Sequence, residues 1–457
     1  MSQLFSHTAK SSIPITPLSA SQLKLWLKSA PKHVQAWAAT HAVVGRPDTA
    51  LLVPDTKGGL AHVLAFVTDT PNTWSLAHLP AGLPSGNYHI DAKWTKDQVA
   101  NAALGFGLAQ YQFDRYKRLE RKNITLILPK SVDIDKVEKR VEAISIARDL
   151  INTPTNDMQP SHLAEAAKSI AKNIGATCKV ISGDELLKQN YPAIHAVGRA
   201  SDNPPRLIDI RHGNPKHPLL TLVGKGVCFD TGGLDIKPYA SMKLMKKDMG
   251  GAALMLALAQ LVVQEKIPVR LRVLIPAVEN SIDSNAFRPQ DIIATRKGLT
   301  MEIGSTDAEG RVILCDALSE ADSENPDLII DAATLTGAAR TALGMDIPAL
   351  YSNDAALAKK LMDVSLAEGD PLWHMPLWAS YDKYVNSPIA DITNSPNYGF
   401  AGSITAALFL NRFVNPKTPW IHLDTYAWNG EPTPGRPVGG EALGLRALLA
   451  FLHKRYA

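Results

Sequence analysis

The sequence predicts an α/β protein of two domains. A smaller N-terminal α/β domain precedes a larger domain with a mostly parallel, mixed sheet that is flanked by helices. Three observations predict this class. The chain has 457 residues, 45% of them hydrophobic, which is enough for more than one core. From residue 155 onward, short apolar runs typical of buried strands alternate with longer runs of helical spacing. Loops rich in glycine and charged residues separate some of these runs.

The N-terminal domain is predicted to cover residues 1–135. Strand-like runs occur at 50–53, 62–67 and 124–128, and a helical run extends from Lys96 to about Leu119. No cluster of catalytic residue types occurs in this part of the sequence. We therefore expect the chemistry to lie in the second domain.

A predicted amphipathic helix over 134–151 leads out of the first domain, and residues 136–154 form the linker. It stops at Asn152-Thr153-Pro154, which is a turn signal. The second domain is predicted to cover 155–457. Its predicted strands are 178–181, 219–223, 269–275, 328–330 and 420–424. Its predicted helices include 161–174, 250–263, 404–413 and 442–453.

A charged motif, Ser305 to Arg311, lies between a strand-like run at 299–303 and a helical run at 312–318. Open α/β sheets place their active sites at such crossings. The carboxylates of Asp307 and Glu309 repel each other unless a cation lies between them, and a divalent metal is the simplest one. A helix cap with surface ion pairs is the alternative interpretation of this stretch.

A second charged stretch lies between the buried strand at 219–223 and an apolar helical run. It contains two lysines and two aspartates in a glycine-rich connection, namely Lys225, Asp230, Lys237 and Asp248. A phosphate-binding loop would end in Gly-Lys-Ser/Thr, and this connection does not.

The two stretches together, in this order, resemble the M17 (cytosol or leucyl) aminopeptidase family. The family motif Asn-Thr-Asp-Ala-Glu-Gly-Arg matches residues 305–311 except for Ser305, and the stretch 152–157 is similar to the family's Asn-Thr-Pro-Pro-Asn-Asp. The similarity is close over the C-terminal two thirds and looser before it. It implies a hydrolase that removes N-terminal amino acids from peptides with a free N-terminus.

The resemblance also implies two divalent metal ions that activate a water molecule. Zinc or manganese is expected, and magnesium or cobalt would also suit the ligands. The implied ligands are Lys225, Asp230, Asp248, Asp307 and Glu309. A lysine must be neutral to bind a metal, so the pKa of Lys225 would have to be strongly depressed by burial and by the two cations. An ordinary exposed lysine after a strand is the alternative.

Two further roles are implied by the resemblance. Lys237 would stay protonated and stabilise the oxyanion of the tetrahedral intermediate. Arg311, with Leu335, would hold a bicarbonate ion that acts as the general base. A salt bridge from Arg311 to Asp307 or Asp316 is the alternative for this arginine.

The first substrate pocket, again by resemblance, would be formed by Met245, Ser305, Thr334, Gly337, Tyr426 and Asn429. Ser305 is shorter than the family's asparagine, so a contact would be lost or replaced by water. Tyr426 and Asn429 are bulkier and more polar than the usual residues. We therefore do not expect a simple preference for leucine.

Composition indicates no other class of function. The net charge is +4 without a dense Lys/Arg tract, so nucleic-acid binding is not indicated. The three cysteines, Cys178, Cys228 and Cys315, are far apart, which fits reduced thiols in the cytosol. Cys228 and Cys315 are most simply small buried side chains. No signal peptide or membrane span is predicted, so we expect a cytoplasmic protein.

The resemblance implies a homohexamer. Two other functions stay open at this point. A phosphoesterase would also use two metals, although its usual histidine ligands are missing from both stretches. A catalytically altered family member could serve as an oligomeric binding or scaffold protein, although every matched ligand is present.

Overall fold

The computed structural model describes residues 3–456 and consists of two compact units. The first unit runs to Ser145 and also includes residues 431–438. The second unit comprises residues 146–430 and the segment that begins at Gly439. The division falls within a long helix, where the linker is predicted. It also assigns residues 431–438 to the first unit, and the predicted range of 1–135 does not include them.

The first unit is built on a six-stranded sheet. In chain order its elements are β1 (Phe5–Ser6), β2 (Ile13–Leu18), α1 (Ala20–Ser29), α2 (Lys32–Thr40), β3 (Thr49–Pro54), β4 (Leu60–Phe66), α3 (Leu79–Gly82), β5 (Gly86–Ile90), α4 (Lys96–Leu108) and β6 (Ile124–Ile127). Helix α5 (Ile134–Asn152) contains the boundary between the units. The strand order is β1-β6-β5-β2-β4-β3, and only β3 runs antiparallel to its neighbour.

The predicted strands of this unit are confirmed as β3, β4 and β6, with small shifts at their ends. The helix predicted to reach about Leu119 is wrong in its length. It ends at Leu108, where the N–H of Ala109 bonds to the carbonyl of Gly105. Residues 114–123 are exposed and mostly charged, so no apolar stripe holds a longer helix against the core.

The second unit is organised by a nine-stranded sheet. The strands of this unit are β7 (Thr177–Ser182), β8 (Arg206–His212), β9 (Leu219–Gly224), β10 (Gly226–Asp230), β11 (Arg270–Asn280), β12 (Ile292–Ala294), β13 (Thr300–Glu302), β14 (Leu328–Ala333), β15 (Ala349–Ser352), β16 (Trp373–His374), β17 (Ile392–Thr393), β18 (Trp420–Asp424), β19 (Trp428–Asn429) and β20 (Gly439–Gly440).

Parallel strands form the middle of this sheet. The order is β16-β15-β18-β14-β9-β11-β8-β7, with β10 paired to β11. All pairs from β18 to β11 are parallel, as is β10 with β11, whereas β8 and β15 run antiparallel to their inner neighbours. The prediction of a mostly parallel, mixed sheet is confirmed.

Helices cover the sheet of the second unit. They are α6 (Pro160–Asn173), α7 (Glu185–Lys188), α8 (Pro192–Gly198), α9 (Tyr239–Met242), α10 (Gly250–Gln264), α11 (Glu309–Asp322), α12 (Gly337–Leu343), α13 (Ala355–Ala367), α14 (Gly402–Asn411) and α15 (Leu445–Tyr456). Helix α10 packs on β9 and β14, and α11 packs on β11 and β9. Every residue of β9 and β14 is buried, which explains why their sequences are apolar except for Thr221 and Asp331.

Two smaller predictions concern burial. Cys228 in β10 and Cys315 in α11 are fully buried and reduced, so the prediction of small buried side chains is confirmed. Within residues 3–456, no helix has the length and apolar character needed to cross a bilayer.

The sheet also decides where functional side chains can meet. Strands β9, β10, β11, β14 and β18 run in the same direction, so their carboxyl ends lie along one edge. Ligand sites of open α/β sheets lie outside such an edge.

Candidate active site

The residues predicted to bind metal converge at this edge. Lys225 lies between β9 and β10, and Asp230 is the last residue of β10. Asp248 lies on the 3-10 turn that leads into α10, Asp307 lies on the turn before α11, and Glu309 begins α11. One oxygen each of Asp230, Asp307 and Glu309 can be chosen so that all three lie within 4.8 Å of one another.

Two lysines neutralise part of this acidic cluster. The Nζ of Lys225 lies 2.8 Å from Asp248 Oδ2 and 2.8 Å from Glu309 Oε1. The Nζ of Lys237 lies 2.8 Å from Asp230 Oδ2 and also pairs with Asp307. Four carboxylates therefore face two lysines, and the excess negative charge can be neutralised by added cations. Because Lys225 is buried, the alternative of an exposed lysine is wrong.

The pKa of each lysine follows from this environment. Burial lowers the pKa of Lys225, but the charges of Asp248 and Glu309 outweigh burial and hold the pKa above its ordinary value. The pKa of Lys237 is likewise raised, by Asp230 and Glu309 against burial. The depressed pKa predicted for Lys225 does not arise from the protein alone and would require nearby metal ions.

The carboxylates fit a metal site on their own geometry. Burial, followed by the charge of Asp230, raises the pKa of both Glu309 and Asp307. Glu309 Oε2 is buried and has no hydrogen-bond partner among residues 3–456. Leaving a buried carboxylate oxygen without a partner costs free energy, and such an oxygen can serve as a ligand of a divalent cation. The donor set of oxygens and one amine therefore fits hard or borderline divalent ions.

Neighbouring side chains hold these carboxylates in place. Asn280, at the end of β11, donates from Nδ2 to Asp230 Oδ1 at 2.8 Å and to the carbonyl of Thr306 at 3.1 Å. The hydroxyl of Thr334 donates to Asp248 Oδ1 at 2.7 Å. Sequence reasoning missed Asn280, because only the pairing of β10 with β11 brings it beside Asp230.

Ser305 stabilises the turn that carries Asp307. Its Oγ accepts the backbone N–H of Asp307 at 3.2 Å and donates to Asp235 Oδ2 at 3.0 Å. The same Asp235 oxygen accepts the N–H of Thr306 at 2.7 Å. The serine at this position therefore acts as the cap of the turn, in addition to the predicted place in the substrate pocket.

Gly310 leaves room for the side chain of Lys225. A Cβ atom at Gly310 would lie 2.6 Å from Lys225 Cε and 2.7 Å from Lys225 Nζ. Any other residue at this position would displace the amine from Asp248 and Glu309. The glycine of the motif is thus required by a neighbour that lies far away in sequence.

Arg311 is buried and forms no ion pair with either predicted partner, Asp307 or Asp316, in residues 3–456. Its Nη1 donates to the carbonyl of Asn394 at 2.7 Å, and its Nε has no partner within the described part of the chain. Asp316 instead accepts backbone N–H groups of Ala193 and Arg296, each at 2.8 Å. The alternative of a salt bridge is wrong.

The guanidinium of Arg311 retains donors for an anion. Burial lowers the pKa of Arg311 to about 10, against the charges of Asp424 and Glu309. At neutral pH the group is therefore still a cation. Leu335, its predicted partner in holding bicarbonate, directly follows Thr334, but its N–H already donates to Asp424 Oδ1 at 3.0 Å.

Three of the six predicted pocket residues, Met245, Thr334 and Tyr426, lie on segments around Asp248. Met245 begins its 3-10 turn, and Thr334 bonds to it. The loop after β18, which carries Tyr426, packs close by, since a Cβ at Gly250 would lie 2.3 Å from Ala427 Cβ. Gly337 begins α12, and Asn429 is buried in β19.

Comparisons with known proteins identify the family of the chain. The model of the cytosol aminopeptidase family, catalytic domain, matches residues 145–449. The model of the M17 aminopeptidase N-terminal domain matches residues 13–129. Together they cover most of the chain.

Individual relatives of this chain are also aminopeptidases or related enzymes by name. A probable cytosol aminopeptidase of Syntrophotalea carbinolica is 40% identical over 399 residues, which cover 83% of this chain and 78% of the relative. The crystal structure of a cytosol aminopeptidase from Coxiella burnetii has a TM-score of 0.96 and 47% identity, and the match covers 100% of this chain and 99% of that one. The bottromycin maturation enzyme BotP in complex with Mn has a TM-score of 0.88 and 30% identity, with 98% and 100% of the chains covered.

These relatives bear the names of enzymes, so the alternative of a non-catalytic scaffold gains no support. The catalytic-domain match spans all the residues of the acidic cluster, and the structural match spans both units. The chain belongs to the cytosol aminopeptidase family and is a hydrolase of the exopeptidase class.

Proposed function

We propose that this enzyme removes N-terminal amino acids from peptides with the help of two divalent metal ions. The observation that carries the proposal is the convergence of four carboxylates on one buried lysine and one half-buried lysine at the carboxyl edge of the parallel sheet. Carboxylates at such distances require cations among them, and the lysines supply only part of that charge.

Asp230, Asp307 and Glu309 would be shared by the two ions or divided between them. Asp248 and Lys225 would complete the second position. The metals supply Lewis-acid polarisation of the scissile carbonyl and make a water molecule acidic enough to attack near neutral pH. Zinc or manganese fits the donors, as magnesium or cobalt would, and the manganese complex of BotP supports the choice of a divalent ion of this kind.

The protein's own residues explain why cleavage would be confined to the first residue. Asp248 and its metal position would hold the free α-amino group of the peptide. The carbonyl of the same residue would then lie at the other metal position, close to Lys237. Because burial is outweighed by Asp230, Lys237 keeps its proton and can stabilise negative charge on the carbonyl oxygen.

Arg311 would hold a bicarbonate ion, which supplies the general base, with Leu335 alongside. Two observations support this part of the proposal. The buried Nε of Arg311 has no partner among the described residues, and the acidic cluster contains no histidine that could serve as a base. The N–H of Leu335 already donates to Asp424, so Leu335 would contact the bicarbonate ion through atoms other than this N–H.

We also propose a cytoplasmic homohexamer acting on peptides with a free N-terminus. The names of the relatives as cytosol aminopeptidases support the location, and the resemblance to the M17 family supports the assembly.

The test is hydrolysis of a panel of aminoacyl-p-nitroanilides by the purified protein, with and without added manganese or zinc, beside an Asp307→Ala variant. We expect metal-dependent cleavage by the wild type and a loss of more than about 100-fold in the variant, since even the outer partners of metal ligands contribute 10- to 100-fold. Absence of cleavage with every metal, from protein that is folded and oligomeric, would overturn the proposal.

A further inference from the structure

Two cations lie against one aromatic ring beside the acidic cluster. The Nζ of Lys247 lies 4.5 Å from the centre of the Tyr426 ring, and the Cζ of Arg340 lies 5.2 Å from it. Arg340 Nη1 also donates to the hydroxyl of Tyr426 at 3.3 Å. Both contacts are within the range of cation–π attraction. Tyr426 therefore joins two positive charges that come from different segments of the second unit.

Neither cation has a carboxylate partner among residues 3–456. Lys247 is 4% exposed, yet its ammonium forms no ion pair and no hydrogen bond with the described residues. Arg340 forms no ion pair there, and its guanidinium bonds only to Tyr426. The buried charge of Lys247 is costly without a counter-ion, so a negative group from outside the protein would be stabilised at this position.

The nearest carboxylates are engaged elsewhere. Asp248 and Asp424 both act electrostatically on Lys247. Asp248 is bonded to Thr334 and paired with Lys225, and Asp424 accepts the N–H groups of Leu335 and Thr336. Lys225 and Arg340 add positive charge on the same side. We call Lys247, Arg340 and Tyr426 together the wall. The positive charge of the wall is therefore available to a ligand.

The wall lies where the side chain of the first residue of a peptide has to be. Lys247 directly precedes Asp248, which would hold the amino group. The amino group and the side chain of an amino acid share one Cα atom, so an anchored amino group keeps the side chain within a few ångströms. The loop that carries Tyr426 packs against Gly250, which lies two residues after Asp248, and Thr334 bonds to Asp248.

We propose that Lys247 and Arg340 make this aminopeptidase selective for an acidic N-terminal residue, glutamate or aspartate. The inference rests on the proposed function and names its substrate class. A leucine side chain in the same place would remove water from two cations without offering them a partner. A carboxylate would form charge-assisted hydrogen bonds with both, and an arginine can bind it through two parallel bonds.

The experiment compares kcat/KM for glutamyl-, glutaminyl-, aspartyl-, leucyl- and phenylalanyl-p-nitroanilide, measured with manganese-loaded wild type. Glutamine has the shape of glutamate without the charge, so the ratio of the two isolates recognition of the carboxylate. We expect glutamate to exceed glutamine by about tenfold or more, and the ratio to fall as salt is added.

Variants test whether Arg340 causes the preference for glutamate over glutamine. Arg340 is exposed, so Arg340→Gln is expected to fold, and it should lower the glutamate-to-glutamine ratio about tenfold. Arg340→Glu should favour a lysyl substrate over a glutamyl one. Arg118→Gln removes the same charge from an exposed position in the first unit and should leave the ratio unchanged.

The outcomes separate the two proposals. Cleavage of leucyl or phenylalanyl substrates, with glutamate no better than glutamine and no effect of Arg340→Gln, would overturn the acidic selectivity and leave the proposed function intact. A failure to cleave any substrate with any metal would overturn the proposed function and this inference with it.

Discussion

Lys237 and Lys225 look alike in sequence but lie in different surroundings. Lys225 is 2% exposed and touches Asp248 and Glu309, whereas Lys237 is partly accessible beside Asp230 and Asp307. Burial of this degree suits a ligand that must lose its proton once metals are bound, and partial access suits a cation that meets the substrate. The two positions therefore predict different consequences of substitution.

Replacement of Lys237 by glutamine should lower kcat by about 100- to 1,000-fold and change KM little, because a donor that acts on the developing oxyanion is lost. The bound manganese, measured by elemental analysis, should stay near the wild-type amount, since no metal ligand is removed. Loss of metal with full recovery of kcat at saturating manganese would show instead that Lys237 only positions the carboxylates.

Replacement of Gly310 by alanine should weaken metal binding without unfolding the protein. The new Cβ would lie 2.7 Å from Lys225 Nζ, so the amine has to leave its place between Asp248 and Glu309. Calorimetric titration with manganese should show one position weakened about tenfold or more. The matched control is Gly82→Ala, where a Cβ meets nothing within 4 Å. Equal manganese affinity in both variants would contradict this role.

At the scale of elements, the sheet edge explains how residues far apart in sequence meet. The predicted strands at 219–223, 328–330 and 420–424 are confirmed as β9, β14 and β18, because strands that are buried on both faces have mostly apolar sequences. The motif lies between β13 and α11, as the strand-like run before it and the helical spacing after it predict.

Three other features of the structure cannot be predicted from sequence patterns. The role of Asn280 depends on which strand pairs with β10, and the need for Gly310 depends on where Lys225 points. The end of α4 at Leu108 depends on the loss of core contacts. Periodicity reports local burial only, so it cannot supply contacts between distant segments.

Asp331 joins β14 to β18 through two buried hydrogen bonds. Its Oδ1 lies 2.6 Å from His422 Nδ1, and its Oδ2 accepts from Trp420 Nε1 at 2.6 Å. All three side chains are fully buried. Asp331→Asn removes the charge and one acceptor, and we expect a loss of about 3 kcal/mol in the free energy of unfolding. A chemical denaturation curve that matches the wild type would contradict this estimate.

The same pair predicts a dependence of stability on pH. Burial lowers the pKa of His422, but Asp331 outweighs burial and raises the pKa above its ordinary value. A raised pKa in the folded state stabilises the fold below the ordinary pKa of histidine, and this contribution is lost as pH rises through the folded pKa. The stability advantage of wild type over His422→Gln should therefore shrink from pH 6 upward. An advantage that grows with pH would contradict the argument.

At the scale of the whole molecule, the second unit contains every residue of the candidate site, from Lys225 to Asn429. It also exposes large apolar side chains such as Tyr239, Ile389 and Phe400. Single exposed apolar residues are also common on monomers, so the proposed hexamer rests on the resemblance to the family. Light scattering of the purified protein should give six times the mass of one chain, and a monomer at micromolar concentration would contradict the proposed hexamer.

The central claim is that two divalent ions, held by the acidic cluster, carry the hydrolysis. The most direct measurement removes metals with EDTA and then titrates manganese back while following cleavage of an aminoacyl-p-nitroanilide. We predict no activity before addition, and a rise that levels off at two equivalents per chain, with Glu309→Gln failing to reach the plateau. Activity that survives EDTA, or that is complete at one equivalent, would contradict the account.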